Sequence, residues 1–272
     1  MDKETLRKVQ LVQLEIAEDI KRVCRENGIS YYLTAGSCLG AVRHQGFIPW
    51  DDDLDIGMLR EDYEKFCKIA PEKLGEKYSF HNWYNEPHHA IPFSKVRKKG
   101  TIYQEAKAAE GGANGIYVDV IVYDNVPSQN VKLHLLKLYL LQRLLLMKCG
   151  YLPWRDNGKT NWKQRLFYIP FQVLALFSNR EALAKKFDQI AKTVDGSSGK
   201  VYTQLGERNF YSFKREWLAE TTEIPFEKEL FSVPKMYHEY LTSAYGNYMQ
   251  LPPEDQRENR HQIQVIDFGE DA

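Results

Sequence analysis

The sequence predicts an α/β (α+β) fold, with one mixed sheet in the first half of the chain and mainly helices in the second. Segments of helical and strand periodicity alternate over roughly the first 125 residues, which is typical of a mixed sheet covered by helices. After Pro127 the pattern changes to long helical stretches. The chain has 272 residues, 43% of them hydrophobic, which suffices for one large domain or two small ones.

The elements of the first half follow from spacing and turn residues. Leu6, Val9, Val12 and Ile16 recur at helical spacing, and Gly28 then provides a helix stop. The predicted elements are a helix at 6–23, a strand at 29–33, a helix at 38–44, a strand at 50–58, a helix at 60–70 and strands at 78–83, 93–97 and 115–123.

The second half is predicted to be a mainly helical region, with a domain boundary near residue 128 that separates 1–128 from 129–272. Its helical stretches are 131–149 and 162–194, interrupted by a polar turn at 155–158, and a Gly/Ser turn at 196–199 leads into a strand at 201–205. Most of the apolar surface of these helices is expected to pack on the first half, with peripheral contact to a membrane as the alternative.

Charge and cysteine content exclude several classes of protein. Lys and Arg (37) balance Asp and Glu (37), so no overall field attracts nucleic acid, and we expect no nucleic-acid partner. Cys24, Cys38, Cys67 and Cys149 lack zinc spacing and the density of a disulfide scaffold, and are expected to be buried free thiols in a reducing cytosol.

The start of the chain and its apolar stretches also favour a location in the cytosol. The N-terminus leads directly into a charged amphipathic segment rather than a signal peptide. A membrane-spanning helix needs about 20 mostly apolar residues, and the leucine-rich stretch 131–147 is interrupted by charged residues. We therefore expect a cytoplasmic protein, at most peripheral at the inner face of the membrane.

The segment from Ile48 to Ile56, IPWDDDLDI, carries the strongest chemical signal. On an extended strand Asp51, Asp53 and Asp55 would share one face, with the Cα atoms of the last two roughly 6.5–7 Å apart. Carboxylates that close raise each other's pKa unless a cation neutralises them. Mg²⁺, with Mn²⁺ as the alternative, suits one or two carboxylates together with substrate phosphates. The other interpretation is a solvated acidic turn.

Two further features complete a candidate site. Gly36 and Ser37 lie between a strand and a helix, where backbone N–H groups and a hydroxyl can hold a phosphate. Asp119 stands alone among apolar residues of the strand 115–123, and a buried aspartate requires a partner or a metal. Asp124, at the end of that strand, is the rival third carboxylate.

The Gly-Ser turn, the Asp-x-Asp strand and a third acidic residue resemble the nucleotidyltransferase superfamily. The 26-residue run YYLTAGSCLGAVRHQGFIPWDDDLDI (31–56) is more specific, and resembles the LicD family of phosphotransferases, whose relatives include the fukutin-related ribitol-phosphate transferases. The tail YLTSAYGNYMQLPP (240–253) is similar to that family's closing motif, apart from Asn247, where Asp is common. The resemblance implies a nucleotidyltransferase-type mixed sheet with flanking helices, and a catalytic domain at 1–128.

The resemblance implies an activity and roles. LicD-type enzymes transfer phosphocholine from CDP-choline to sugars of cell-wall teichoic acids or surface glycans, and relatives use CDP-activated ribitol or glycerol. For this protein we expect a glycan or a lipid-linked glycan as the acceptor. The acceptor hydroxyl attacks phosphorus and CMP leaves. By position, Asp53 and Asp55 would hold the metal, and Asp119 would be a further ligand or the base. Such transfer depends on positioning and on neutralising charge.

The cationic and aromatic candidates are assigned by placement. Arg43, Lys95 and Arg97 are candidates for binding the nucleotide or its diphosphate, the last two because they share a strand face. Trp50, Arg257 and His261 are candidates for contacting donor or acceptor, and the last two would share a face if their segment were helical. A choline headgroup needs aromatic faces, for which Trp50, Tyr103, Tyr117, Tyr245 and Tyr248 are candidates.

Two rival functions remain open at this point. A nucleotidyltransferase that gives a nucleoside monophosphate to a small hydroxylated acceptor would use the same aspartates. A catalytically inactive glycan-binding relative would be expected to have lost a metal-binding aspartate, whereas Asp53, Asp55 and Asp119 are all present.

Overall fold

The structure, a computed structural model, describes residues 1–106, 111–156, 159–194, 196–205, 209–259 and 261–269. Its α-helices are α1 (Lys3–Glu26), α2 (Ala35–His44), α3 (Arg60–Lys73), α4 (Val131–Lys148), α5 (Trp162–Leu176), α6 (Arg180–Lys192), α7 (Arg215–Ala219) and α8 (Tyr237–Tyr245). Its strands are β1 (Tyr32–Leu33), β2 (Asp55–Leu59), β3 (Tyr78–His81), β4 (Ser94–Lys98), β5 (Ile102–Glu105), β6 (Tyr117–Asn125), β7 (Arg155–Asp156), β8 (Lys159–Thr160), β9 (Lys200–Leu205), β10 (Asn209–Lys214), β11 (Thr221–Phe226), β12 (Glu229–Pro234) and β13 (Ile263–Asp267). The predicted mixed α/β class is confirmed.

The main sheet has the order β1-β2-β6-β4-β3, with β6 at its centre. β2 and β6 run parallel, whereas β1–β2, β6–β4 and β4–β3 are antiparallel. The last two residues of β6 pair with β9, which carries β10 on its other side. β6 is covered on both sides, and its residues are apolar on both faces except for Asp119, Asp124 and the last residue, Asn125.

Helix α1 packs on this sheet as its periodicity predicts. Asp2 caps its first turn by accepting a hydrogen bond from the Thr5 N–H. Val9, Ile16 and Ile20 are fully buried in the main core. The predicted free thiols are confirmed: Cys24, Cys38 and Cys149 are buried and Cys67 is partly buried.

Segments from the second half of the chain return to the first. β13 pairs with β5, the β11–β12 hairpin contacts β1, and α8 packs on α2. Tyr240 of α8 is buried against Thr34 and Tyr123, whose hydroxyls lie 2.8 Å and 3.1 Å from its own. The boundary near residue 128 stays a prediction, but the candidate site described below draws on both sides of it.

Helices α4 and α6 form a smaller core against the main sheet. Leu138 and Leu145 of α4 pack there with Phe187 of α6 and Trp83. Helix α5 packs on α4 but buries only Tyr168 and Ala175, so the expectation that most apolar surface of this region packs on the first half is wrong for α5. Within the described ranges, no helix combines the length and apolarity needed to cross a bilayer.

Candidate active site

Two buried carboxylates lie side by side on the central parallel strands. Asp55 begins β2 and is in register with Asp119 of β6. Burial, followed by the charges of Asp53, Asp119 and Asp51, raises the pKa of Asp55 well above its ordinary value. The structure thus brings together the three carboxylates predicted from the sequence, at the ends of β2 and β6 that lie beside α2.

The acidic run before Asp55 is not a strand, so the predicted strand at 50–58 is wrong for residues 50–54. The chain turns at Asp51, whose N–H donates to Ile48 O at 2.9 Å. β1 ends at Leu33 and α2 begins at once, so no neighbouring strand remains to pair with this stretch on that side. Side chains of α1 bind its carbonyls instead: Gln10 donates to Asp51 O and Gln13 to Asp52 O, both at 2.9 Å.

This turn gathers the carboxylates more closely than strand alternation would. One carboxylate oxygen from each of Asp51, Asp52 and Asp53 lies within 4.8 Å of the other two. Asp51 and Asp52 are buried, and Asp53 is half-buried. Asp52, which strand alternation excluded from the acidic face, therefore belongs to the same cluster.

Gly36 and Ser37 lie in the first turn of α2, which begins at Ala35 and not at residue 38, so they belong to the helix rather than to a turn before it. The Ser37 hydroxyl accepts a hydrogen bond from the Asp55 N–H at 2.8 Å, so it fixes the start of β2. A Cβ at Gly36 would lie 2.7 Å from Oδ2 of Asp51, so a side chain there would require the Asp51 carboxylate to move. The preceding Ala35 has a left-handed φ of 46° and donates its N–H to the Tyr240 hydroxyl at 3.0 Å.

Lys95 and Arg97 share a face of β4, as the alternation predicts. Lys95 is in register with Asp119, and its Nζ lies 2.8 Å from Oδ1 of that residue. Both cations stack on Tyr117, with Lys95 Nζ 3.3 Å and Arg97 Cζ 4.9 Å from the ring centroid. Burial raises the pKa of Asp119, and the Lys95 ammonium only partly opposes that rise. One cation therefore already sits beside the predicted third carboxylate.

Glu105, at the end of β5, is a site residue that the sequence analysis missed. Its carboxylate accepts a hydrogen bond from the Tyr117 hydroxyl at 2.6 Å. Burial would raise the pKa of Glu105, but the charges of Lys95 and His261 and the bond from Tyr117 lower it to about 2. Glu105 is therefore an ionised carboxylate beside Lys95. The sequence signal for it is weak, because it ends a short strand with no apolar alternation.

His261 reaches the acidic run from the far end of the chain. The ring Nδ1 of His261 lies 3.1 Å from Oδ1 of Asp52, and the backbone N–H of His261 donates to Oδ2 of the same carboxylate at 3.3 Å. Burial would lower the pKa of His261, but the bond to Asp52 and the charges of Asp53 and Glu105 raise it to about 10. His261 is therefore an imidazolium at neutral pH, and fixes Asp52 beside its acidic neighbours.

Trp50, Arg43 and Arg257 surround the rim of the site. Arg257 Cζ lies 5.5 Å from the Trp50 ring centroid, and its Nε donates to Pro252 O. Arg43 donates to Tyr248 O at 2.8 Å, so it holds the closing motif. Arg257 and His261 would share a face only if their segment were an α-helix. The described residues there form only a 3₁₀ turn at Glu254–Gln256, so this alignment does not occur.

Other candidates are placed away from the chemistry or inside the core. Asp124, the rival third carboxylate, forms a bidentate pair with Arg60 at 2.6 and 2.7 Å, and so has a structural partner. Tyr117 is fully buried under Lys95, and Tyr103 is buried with its hydroxyl on Asp52 O. Among the aromatic candidates, Trp50 and Tyr245 retain the most exposed rings.

The comparison with known proteins decides the family. The family model described as the LicD/FKTN/FKRP nucleotidyltransferase domain matches residues 28–136. The lipopolysaccharide cholinephosphotransferase LicD of Haemophilus influenzae is 31% identical over 263 residues, which cover 96% of this chain and 97% of that protein. The chain belongs to the LicD family. The resemblance inferred from residues 31–56, and with it the expectation of a LicD-type enzyme, is confirmed.

Two further LicD-family relatives match over short stretches. The human ribitol 5-phosphate transferase FKRP is 46% identical over 48 residues, 18% of this chain and 10% of that protein. The mouse ribitol-5-phosphate transferase FKTN is 30% identical over 61 residues, 22% of this chain and 13% of that protein. The nucleotidyltransferase-domain match contains both Asp55 and Asp119.

Proposed function

We propose that this protein transfers a phospho-alcohol, phosphocholine from CDP-choline in the first instance, to a sugar hydroxyl of a surface or teichoic-acid-type glycan, with release of CMP. The full-length similarity to a lipopolysaccharide cholinephosphotransferase supports the phosphocholine group. Phosphoribitol or phosphoglycerol from the corresponding CDP-alcohol is the alternative, supported by the shorter matches to ribitol-phosphate transferases.

The observation that carries the proposal is the convergence of Asp55 and Asp119 on the acidic cluster at 51–53. Five carboxylates lie at one end of the sheet, and burial, followed by the charges of its acidic neighbours, raises the pKa of Asp55. An oxygen-rich, anionic donor set of this kind fits Mg²⁺ or Mn²⁺. We assign Asp53 and Asp55 as ligands by their position in the Asp-x-Asp motif; the nearest acidic partner of His261 is Asp52, at 3.1 Å, with Asp53 at 3.9 Å. A divalent ion bound there would neutralise the charge of the transferring phosphoryl group.

The surrounding residues suit the other demands of the reaction. Lys95 places a positive charge beside Asp119 and Arg97 places another over the ring of Tyr117, where the diphosphate of a CDP-alcohol would lie. Lys95 forms an ion pair with Asp119, and the Asp119 carboxylate would serve either the ion or the proton of the acceptor hydroxyl. Gly36 and Ser37 keep Asp51 and Asp55 in place at the start of α2.

The test is CMP release from CDP-choline, CDP-ribitol and CDP-glycerol, with and without Mg²⁺, in the presence of a purified glycan acceptor. We expect CDP-choline to be the best donor and EDTA to abolish release. Asp55→Asn should lower kcat/KM by roughly a thousandfold or more, since it removes a ligand from a charged site. Asp62→Asn on α3, outside the site, is the matched control and should retain activity. Label entering the acceptor from CTP but not from CDP-alcohols would favour the nucleotidyltransferase alternative.

The role of Asp119 is separated by a second measurement. If Asp119 is a ligand, Asp119→Asn should raise the Mg²⁺ concentration needed for half-maximal activity. If it is the base, the same change should lower kcat by about a hundredfold or more at saturating Mg²⁺, and leave the half-saturating concentration unchanged.

A further inference from the structure

Helix α5 exposes an unusual amount of apolar surface. Eight of its large side chains, including the residue that follows the helix, are between 44% and 87% exposed: Trp162, Leu166, Phe167, Ile169, Val173, Leu174, Leu176 and Phe177. Helix α5 touches the protein through Tyr168 and Ala175, which are buried against α4. An apolar face this wide marks an interaction site rather than scattered surface residues.

The neighbouring helix continues the same character. Leu133, Leu136 and Leu140 of α4 lie at helical spacing and are 42% to 51% exposed. Exposed basic side chains flank both apolar stripes, at Lys132, Lys137, Lys148, Lys163 and Arg165. The α4–α5 hairpin therefore presents large apolar side chains together with lysine and arginine, which is the composition of segments that lie in a membrane interface.

The charge of the hairpin differs from that of the rest of the chain. Residues 131–177 contain eight Lys and Arg against one acidic residue, Asp156, whereas the whole chain has 37 of each sign. The remainder of the protein is accordingly acidic. The positive charge of the protein is therefore concentrated in the hairpin. The surface of an anionic bilayer attracts basic residues that lie next to it.

We propose that the α4–α5 hairpin binds the surface of an anionic lipid bilayer, with the exposed side chains of α5 inserted among the acyl chains and the flanking basic residues on the headgroups. The inference is independent of the phospho-alcohol chemistry. The base of the hairpin lies near the candidate site: Cys149, just after α4, donates from Sγ to His89 O, and His89 bonds to Phe93 O, two residues before Lys95.

Charge selects the bilayer over a second copy of the chain. A twofold dimer through this face would bring two basic surfaces together, since a symmetric interface pairs a patch with itself. An anionic bilayer instead neutralises Lys132, Lys137, Lys163 and Arg165 while it covers the apolar stripe. α5 has 15 residues, about 22 Å of helix, so it is short of the roughly 30 Å of a hydrocarbon core and suits a position parallel to the surface.

The test is sedimentation of the full chain with vesicles of phosphatidylcholine alone or with about one third phosphatidylglycerol. We expect binding to the anionic vesicles, and a partition coefficient on the order of tenfold lower for the neutral ones. Trp162 should move into a less polar environment on binding, which a blue shift of fluorescence present in the wild type and missing in Trp162→Phe would report.

Two variants locate the surface. Leu166→Ser/Val173→Ser/Phe177→Ser should reduce the partition coefficient on the order of tenfold or more. These positions are exposed, so an unchanged Tm is expected to show that folding is intact. The matched control is Lys185→Glu/Lys186→Glu on the exposed face of α6, which alters charge outside the hairpin and should bind anionic vesicles like the wild type.

Three results would overturn the proposal. The first is wild-type protein that remains in the supernatant with anionic vesicles. The second is a triple variant that binds as well as the wild type. The third is a lipid-free dimer, detected by sedimentation velocity, that the triple variant converts to monomer without any vesicle binding by the wild type.

Discussion

At the scale of single residues, Lys95 and Asp119 form the most consequential pair in the site. Their side chains are only 10% and 11% exposed, and their charged atoms lie 2.8 Å apart. Removing one partner of a buried pair leaves the other charge without compensation. The buried Asp119 therefore depends on Lys95 for its place in the protein before any ion binds.

Lys95→Met should lower the free energy of unfolding by about 2–3 kcal/mol in EDTA, because it leaves Asp119 buried without its cation. Urea unfolding measures the loss. Lys98→Met on the same strand is the control: Lys98 pairs with the more exposed Glu15 at 2.8 Å, and this change should cost about 1 kcal/mol or less. Equal losses from the two variants would contradict the structural role given to the Lys95–Asp119 pair.

His89 supplies a pH prediction that does not involve the acidic cluster. Burial lowers the pKa of His89 to about 3, and its Nε2 lies 2.6 Å from Phe93 O. The folded protein therefore binds fewer protons than the unfolded chain below the ordinary histidine pKa of about 6.5. Stability from this group is complete above pH 6.5 and is lost as the pH falls towards 3.

His89→Gln retains a donor to Phe93 O and removes the titration. Between pH 7 and pH 5 the wild type should lose about 2 kcal/mol more unfolding free energy than the variant. Urea unfolding at both pH values measures the difference. His88→Gln, at an exposed neighbouring position, controls for the loss of an imidazole. If the difference in unfolding free energy between the wild type and His89→Gln is the same at pH 7 and pH 5, the prediction is wrong.

At the scale of elements, helix α2 brings two glycines into close contacts of different kinds. A Cβ at Gly36 would lie 2.7 Å from the carboxylate of Asp51, whereas one at Gly40 would lie 2.5 Å from the backbone oxygen of Gly46. A side chain can rotate away, but a backbone cannot do so without moving its loop. The two positions should therefore respond differently to the same substitution.

Gly36→Ala should change the free energy of unfolding by less than about 1 kcal/mol, because alanine favours helix and Asp51 can move. It should lower kcat/KM about tenfold or more, because the moved carboxylate belongs to the acidic cluster. Gly40→Ala should instead destabilise the fold by about 1–3 kcal/mol through the backbone collision. Thermal unfolding and CMP release, measured on both variants, test the pair; a Gly36→Ala enzyme of full activity would contradict it.

The same elements show how far the sequence could predict the fold. α1 and β6 were predicted because their apolar pattern is dense and local. The strand at 50–58 was predicted from alternation alone, and alternation cannot show that a neighbouring strand is missing beside 51–54. β5 and β13 were missed because each is short and pairs with a strand distant in the chain, whereas the β11–β12 hairpin was missed because most of its residues are exposed or half-buried.

The residues of the candidate site were likewise predicted only where a local motif marked them. Asp53, Asp55, Asp119, Gly36, Ser37, Lys95 and Arg97 were all named from local motifs, and the structure places them together at one end of the sheet. Glu105 was missed, and the contact of His261 with Asp52 was not foreseen. His261 and Asp52 are more than 200 positions apart, and the position of Glu105 depends on which strand pairs with β5. No local sequence pattern predicts either contact.

At the scale of the whole molecule, the last segment of the chain closes the site. β13 pairs with β5, and His261, just before it, binds Asp52. A protein that ends after Asn259 should lose activity by about a hundredfold or more, and its Tm should fall by several degrees, because it loses both a strand and an imidazolium.

His261→Gln separates these two losses. It removes the charge beside Asp52 and keeps β13, so activity should fall while Tm changes less than in the truncated protein. Differential scanning calorimetry and CMP release measure the two effects. A truncated protein with wild-type Tm and activity would show that the closing segment is dispensable.

The arrangement of Asp52 and His261 also has a consequence for biosynthesis. The histidine that compensates the acidic run is translated some two hundred residues after it. While those residues are made, a nascent chain on the ribosome carries the acidic run without its histidine, and repulsion among the carboxylates disfavours packing of the run on the sheet. The candidate site can therefore take its folded arrangement only after His261 has been synthesised and has reached Asp52.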